Sequence, residues 1–322
     1  MGPRELCVGL CIITSSALVG CLAWADGAPA PLLKPLFISG HRGGGRVHAP
    51  DNTWENLRYG ASLGVSALEV DLQLTGDDHL ILFHDASIPR SWVEPGYQGE
   101  EKVSWRELTV AQIAEIRYSA TVGEREFTDI AIPDAHDVVT ELRDQVNFHL
   151  DVKGTPAERI IRFIADHDLA ERCVVMNSDL DYLREVRTAF PEIPVEYPQN
   201  LLGRFLNEET GKWEFYPEDR QRELYCELLE DLSALGRVIL CTKGLQPWKV
   251  DLCHLHGVAV RPSAGNVKLT DGAQFLRMGV DGILGDNPEA VLEAVAKILG
   301  PEYLPVPAQP IAEVFSRLPL RP

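Results

Sequence analysis

Four short clusters in this chain carry residue types suited to acid–base and metal chemistry: His41-Arg42, Glu69-Val70-Asp71, His84-Asp85 and Asp151-Val152-Lys153. Glu69 and Asp71 stand two apart in an apolar run in which Leu68, Val70 and Leu72 take the alternate positions. Side chains two apart on a strand share a face. Two carboxylates fixed side by side on a buried strand repel each other unless a cation lies between them. Gly76-Asp77-Asp78 then reads as a turn, and His79–Phe83 returns as a second strand ending in His84-Asp85. One hairpin thus carries a candidate metal-ligand pair and a histidine into one neighbourhood. A half-exposed strand with a solvated acidic face would show the same pattern, so the hairpin alone leaves both readings open.

The elements that must position these clusters alternate as strand and helix. Strands are predicted at Leu36–Ser39, Ala67–Leu72, Val146–Val152, Cys173–Asn177, Ile193–Tyr197, Val238–Cys241, Gly257–Arg261 and Asp281–Leu284. Helices are predicted at about Tyr182–Phe190, Asp219–Leu235 and Pro288–Leu299, with others at Glu107–Ile116 and from Asp134 through Leu142. Eight strands in a βα rhythm are the number that closes a parallel barrel. The expected fold class is therefore α/β, a (β/α)8 TIM-type barrel. His41 and Arg42 fall where the first strand gives way to a Gly-rich loop, a common place for catalytic groups in such barrels. The loop completes neither a dinucleotide nor a P-loop fingerprint. In Ala49-Pro50-Asp51-Asn52-Thr53, Asp51 or Asn52 is the expected cap of a helix running to about Leu63. On the strand Val146–Val152, Asp151 and Lys153 share one face, which on its own fits a salt-bridged strand end equally well.

His41-Arg42-Gly43, Pro50-Asp51-Asn52-Thr53, Glu69-Val70-Asp71 and His84-Asp85, in this order and spacing, resemble the glycerophosphodiester phosphodiesterase family. The resemblance continues more weakly to Gly285-Asp286-Asn287-Pro288. It implies a barrel with the active site at the C-terminal ends of the strands. It makes Asp151 the third metal ligand beside Glu69 and Asp71, and Lys153 a phosphate contact. Most of the family carries Glu where Asp151 stands; the related spider-venom phospholipase D group has Asp. Hard oxygen ligands suit one divalent cation, Mg²⁺ or Ca²⁺. Arg42 and Lys153 would share the phosphate charge, and His41 and His84 would act as acid and base. Two departures stand out. The family's Ile-Pro-Thr-Leu-Glu-Glu is matched only in outline by Ile132-Pro133-Asp134, and its Trp-Thr-Val-Asn is replaced by Arg261-Pro262-Ser263 with a later Asn266. An aromatic wall of the substrate site is thus absent or supplied by another loop. The variable insertion expected near Pro89–Glu101 reads as short.

The chain has 322 residues and a formal net charge of −18, which argues against binding nucleic acid or anionic membrane through a basic face. Residues 6–20 form an apolar run suited to a signal peptide and short for a membrane span. Residues 1–25 are expected to be a signal peptide or lipoprotein leader, with Leu18-Val19-Gly20-Cys21 offering a lipid anchor at Cys21 as the only membrane attachment, and the protein to be exported. Residues 26–35 read as a linker, 36–300 as the barrel and 301–322 as a Pro-rich tail. Cys173, Cys226, Cys241 and Cys253 lack metal-ligand spacing and read as single thiols. Asn200–Tyr216 reads as a surface Ω-loop in preference to a lid. The resulting expectation is a hydrolase of small glycerophosphodiesters; the alternatives are a phospholipase D-like enzyme acting on intact lipid and a non-catalytic envelope binding protein.

Overall fold

The computed structural model describes residues 31–199, 202–262 and 272–318. The expected leader, including Cys21, and Asn266 lie outside these. In chain order the first elements are β1 (Phe37–Gly40), α1 (Trp54–Ser62), β2 (Ala67–Leu74), β3 (Leu80–Leu82), β4 (Ser87–Pro89), β5 (Lys102–Ser104), α2 (Val110–Ala114), β6 (Arg117–Val122) and β7 (Arg125–Ala131). They are followed by α3 (Ala135–Leu142), β8 (Asn147–Val152), α4 (Ala157–Asp166), β9 (Cys173–Met176), α5 (Leu180–Ala189), β10 (Val195–Gln199), β11 (Arg204–Asn207) and β12 (Lys212–Phe215). The rest are α6 (Glu218–Leu235), β13 (Val238–Thr242), α7 (Pro247–Leu255), β14 (Ala259–Pro262), α8 (Ala273–Leu276), β15 (Gly282–Gly285), α9 (Pro288–Ile298) and α10 (Ile311–Phe315).

Among the described residues the main sheet runs β14-β13-β10-β9-β8-β2-β1-β15, all parallel, with β3 antiparallel on β2. Across the remaining seam Asp281 N–H donates to Val260 O at 2.9 Å. This is the expected (β/α)8 barrel, nearly closed, and each of the eight predicted strands lies in it. Its strands are buried on both faces because helices cover the outside and side chains fill the inside. Along β2, Leu68, Val70 and Leu72 join the outer core beneath the helices, whereas Ala67, Glu69 and Asp71 take the alternate, inward positions. Period-two alternation thus puts both carboxylates inside the barrel.

The barrel floor involves both ends of the described chain. Ile311, Val314, Phe315 and Leu318, with Leu33, pack onto Phe37, Ala67, Val174, Ile239 and Ala259 at the N-terminal ends of the strands. Leu33 N–H donates to the buried Asp281 carboxylate at 3.1 Å. The segments at 31–35 and 301–318 are therefore part of the barrel's packing. Phe315 is fully buried, with its ring edge-on to Phe37 at 5.5 Å. Phe315→Ala should cost about 3–5 kcal/mol in chemical denaturation, the range for emptying a buried aromatic site.

Three local expectations are corrected. Thr53, not Asp51 or Asn52, caps α1, its hydroxyl accepting from Asn56 N–H, because Asp51 and Asn52 are engaged at the site. The insertion after β3 is not short: β4/β5 and β6/β7 form two antiparallel hairpins around a core of Trp105, Ile88, Val103 and Ile113. The segment read as an Ω-loop holds an antiparallel pair, β11/β12. Cys173, Cys226, Cys241 and Cys253 are free thiols, as expected.

Candidate active site

Glu69 and Asp71 on β2 meet Asp151 on β8, where Asp71 and Asp151 are direct register partners. One oxygen from each of the three carboxylates lies within 4.8 Å of the other two. Glu69 and Asp71 are fully buried. Burial first, then Asp71 and Asp151, pushes the Glu69 carboxyl well above its ordinary range, although Arg42 N–H donates to its Oε2 at 2.6 Å. Burial also raises Asp71, but Lys153, Asn52 and Arg42 outweigh it and hold that carboxyl low. Asp151 stands at about 6, lifted by burial and by Asp71 against the pull of Lys153. Three acidic groups around one point, faced by Lys153 (2.6 Å to Asp71, 3.4 Å to Asp151) and by Arg42, whose Nη1 is also engaged by Asp51 and whose Nε is 3.7 Å from Asp71, make a strongly acidic, dry place. An all-oxygen donor set with that charge fits a hard divalent cation.

The carboxylates adjoin a cleft of about 800 Å³ whose walls include His41, Arg42, Phe83, His84, Tyr118 and Asp286. His41 leaves β1 through a tight turn in which Gly40 is required: a Cβ there would stand 2.1 Å from Gly43 O. Its Nδ1 is 2.5 Å from the Asp286 carboxylate, and its backbone N–H donates to Gly285 O, tying it to the end of β15. Burial would raise Asp286, but His41 and the nearby arginines hold it below its ordinary value. His84, more exposed, keeps its Nδ1 2.7 Å from Asp85. Each histidine is thus held at Nδ1 by a carboxylate, leaving Nε2 to exchange a proton. Arg42 adopts a left-handed backbone (φ 54°), donates through Nη1 to Asp51 at 2.6 Å and turns its buried, otherwise unpartnered Nε toward Asp71 at 3.7 Å.

Of the seven predicted residues, His41, Arg42 and His84 line the cleft, while Glu69, Asp71, Asp151 and Lys153 stand outside its lining and are tied to it by Arg42 (Nε 3.7 Å from Asp71) and by Lys153 Nζ donating to His84 O at 3.4 Å. Asn52, expected as a possible helix cap within the Pro50–Thr53 motif, has a role at the site that sequence reasoning missed. Its Nδ2–H donates to Asp71 Oδ2 at 2.8 Å while its Oδ1 accepts from Asp71 N–H at 3.2 Å, so it grips both the side chain and the backbone of one carboxylate. It sits at φ 56°, a conformation that Asn tolerates better than most residues. Asn52→Gly keeps the backbone permissive and removes only the amide. It should lower divalent-cation affinity by about 10–100-fold in calorimetric titration, the usual cost of losing a partner of a metal ligand. The inward position replacing the family's tryptophan holds Arg261, fully buried and ion-paired to Glu196 below the acidic cluster. The aromatic surfaces of the cleft come from Phe83 and from Tyr118 on β6, the ring of Tyr118 stacking on Trp92 at 4.9 Å.

A parallel barrel with an acidic cluster and two histidines at its C-terminal rim defines a class of barrel hydrolases, and the comparisons with known proteins narrow it. The model of the glycerophosphoryl diester phosphodiesterase family matches residues 41–290, and the chain belongs to that family. A glycerophosphodiester phosphodiesterase of Caldanaerobacter subterraneus is 25% identical over 272 residues, covering 82% of this chain and 99% of the relative. Among solved structures, a glycerophosphoryl diester phosphodiesterase described as putative, from Silicibacter pomeroyi, superposes with a TM-score of 0.64 at 19% identity, covering 83% of this chain and 96% of that one. A phosphodiesterase of Oleispira antarctica, in complex with the product sn-glycerol-3-phosphate, does so at 0.55 and 18%, covering 84% and 98%. At these identities the two structures bear on the fold.

The raised Asp151 carboxyl sets a pH dependence. Its ordinary value is 3.8 and its native value about 6, so between these the native protein holds more protons than the unfolded chain. Without metal, this group's contribution to stability is therefore lost as pH rises from about 4 to about 6. A bound cation requires both Asp151 and the raised Glu69 in their ionised forms, so its affinity should fall as pH drops, by up to about tenfold per unit for each proton displaced. Calorimetric titrations at about pH 5 and about pH 7, in buffers of differing ionisation enthalpy, measure both the affinity and the protons released.

Proposed function

We propose that this protein hydrolyses glycerophosphodiesters to glycerol phosphate and an alcohol, with one divalent cation held by Glu69, Asp71 and Asp151 and with His41 and His84 moving the protons. The observation that carries this reading is the convergence of three carboxylates within 4.8 Å beside a cleft walled by both histidines. Membership of the phosphodiesterase family supports the reaction class, and the product named with the Oleispira structure supports a glycerol-bearing substrate. When bound, the cation supplies Lewis acidity toward a phosphoryl oxygen. The chain's own residues do the rest. Arg42 and Lys153 balance the remaining phosphate charge at the cleft floor. One histidine accepts the proton of the attacking hydroxyl or water through Nε2, and the other returns one to the leaving alkoxide. Asp286 and Asp85 keep the two rings oriented for that exchange. We further infer, from the apolar run at residues 6–20 of the sequence, that the chain acts outside the cytoplasm. Assays on glycerophosphocholine and glycerophosphoethanolamine beside intact phosphatidylcholine test the substrate class. Turnover of the deacylated diesters should exceed that of the intact lipid at least about tenfold; preference for the intact lipid contradicts the reading.

A further inference from the structure

Of the described residues, the large hydrophobic side chains that stand exposed include Leu206, Trp213 and Phe215, all on the β11/β12 hairpin. The register pairs Leu206 with Trp213 and Arg204 with Phe215. These four positions are two apart on each strand, so they form one face of the hairpin. The face is built rather than loose. The Phe215 ring rests 3.1 Å from where a Cβ on Gly244 would stand, and lies beneath both the Arg204 guanidinium (5.0 Å) and the buried Lys249 ammonium (5.5 Å). Phe205 meets Tyr216 at 4.9 Å, and Tyr216 N–H donates to Gly203 O at 2.9 Å, closing the base. The hairpin stands between the C-terminal end of β10 and the start of α6, which is the barrel end where His41 leaves β1. Leu33 and α10 lie at the other end.

We propose that this hairpin seats the catalytic end of the barrel on a zwitterionic phospholipid surface, with Leu206 and Trp213 in the headgroup region. Among the described residues no helix is long and apolar enough to cross a membrane, so attachment at this end would be interfacial. Charge selects the kind of surface. Over the hairpin and the first turn of α6, Glu208, Glu209, Glu214, Glu218 and Asp219 are nearly balanced by Arg204, Lys212, Arg220 and Arg222, so no basic patch draws an anionic bilayer, and the chain's net charge of −18 disfavours one. Choline headgroups present cations outward, which suits both the exposed carboxylates and the indole face. Tryptophan at a water–lipid boundary buries its ring while its N–H stays hydrated. The attachment is distinct from a lipid on Cys21, and vesicle binding is read without turnover, so it stands or falls independently of the cleft's chemistry.

The test uses the full chain with Cys21→Ser, alone and with Leu206→Ser/Trp213→Ser, co-sedimented with phosphatidylcholine vesicles. The hairpin substitutions should lower partitioning at least about tenfold, given the apolar area removed from the boundary, while turnover of a soluble diester and the circular dichroism spectrum stay unchanged. Brominated phosphatidylcholine should quench an emission component that Trp213→Phe lacks. Adding phosphatidylglycerol to the vesicles should weaken binding. Equal partitioning of the two chains, stronger binding to the anionic vesicles, or a dimer that the hairpin substitutions convert to monomer would each overturn the proposal.

Discussion

Glu69→Gln should abolish measurable binding of Mg²⁺ or Ca²⁺ and lower kcat/KM by about three orders of magnitude or more. The substitution keeps volume and keeps an oxygen for the Arg42 N–H, now held at 2.6 Å, so the loop carrying His41 and Arg42 should stay in place. What disappears is one of three charges around a single buried point. In the metal-free protein those charges repel, and burial with Asp71 and Asp151 holds Glu69 well above its ordinary range. Glu69→Gln should therefore melt no lower than the metal-free wild type while lacking the thermal shift that a divalent cation is expected to give the wild type. A calorimetric titration and a melting curve, with and without Mg²⁺, read both effects. An unchanged cation affinity would mean that the ligands lie elsewhere.

The histidines carry the second large effect. His41→Ala and His84→Ala should each cost roughly 10²–10⁴-fold in kcat, and the double substitution much less than the product of the two. The two sites differ in environment. The His41–Asp286 pair is nearly buried, at 15% and 12% side-chain exposure, whereas the His84–Asp85 pair is open to the cleft mouth at 41% and 68%. A diester with a nitrophenol leaving group needs little protonation, so it should rescue the variant lacking the acid and leave the other impaired. Equal rescue of both variants, or of neither, would count against a division of labour.

Part of this candidate site was legible in short-range geometry, while the roles expected of Asp151 and Lys153 came from the family resemblance. Period-two alternation put Glu69 and Asp71 on one face, and the strand-to-loop position of His41 placed it at the rim. The eight strands could be found because each is a buried apolar run. What escaped prediction depends on contacts across the chain. Asn52 grips Asp71 over 19 positions, in a conformation that short-range propensity assigns to helix caps and turns, so the cap fell to Thr53 instead. The β6/β7 hairpin contains only exposed and half-buried residues, without the apolar run that marks a core strand. Arg261 gave no sign of its buried pairing with Glu196, 65 positions away. The Pro-rich tail hid its role because Ile311, Val314, Phe315 and Leu318 form too short an apolar stripe to stand out from its prolines.

The proposed reaction is a metal-assisted cleavage of a glycerol-bearing diester in the cleft beside Glu69, Asp71 and Asp151. Phosphorus NMR of glycerophosphocholine incubated with the full chain tests it most directly, in chelator and then after Mg²⁺ or Ca²⁺ is restored. No reaction is expected in chelator; on restoring the ion, glycerol phosphate should replace glycerophosphocholine in the phosphorus spectrum, with an equal amount of free choline in the proton spectrum. Undiminished release of glycerol phosphate in chelator, by a protein holding no metal, would contradict it.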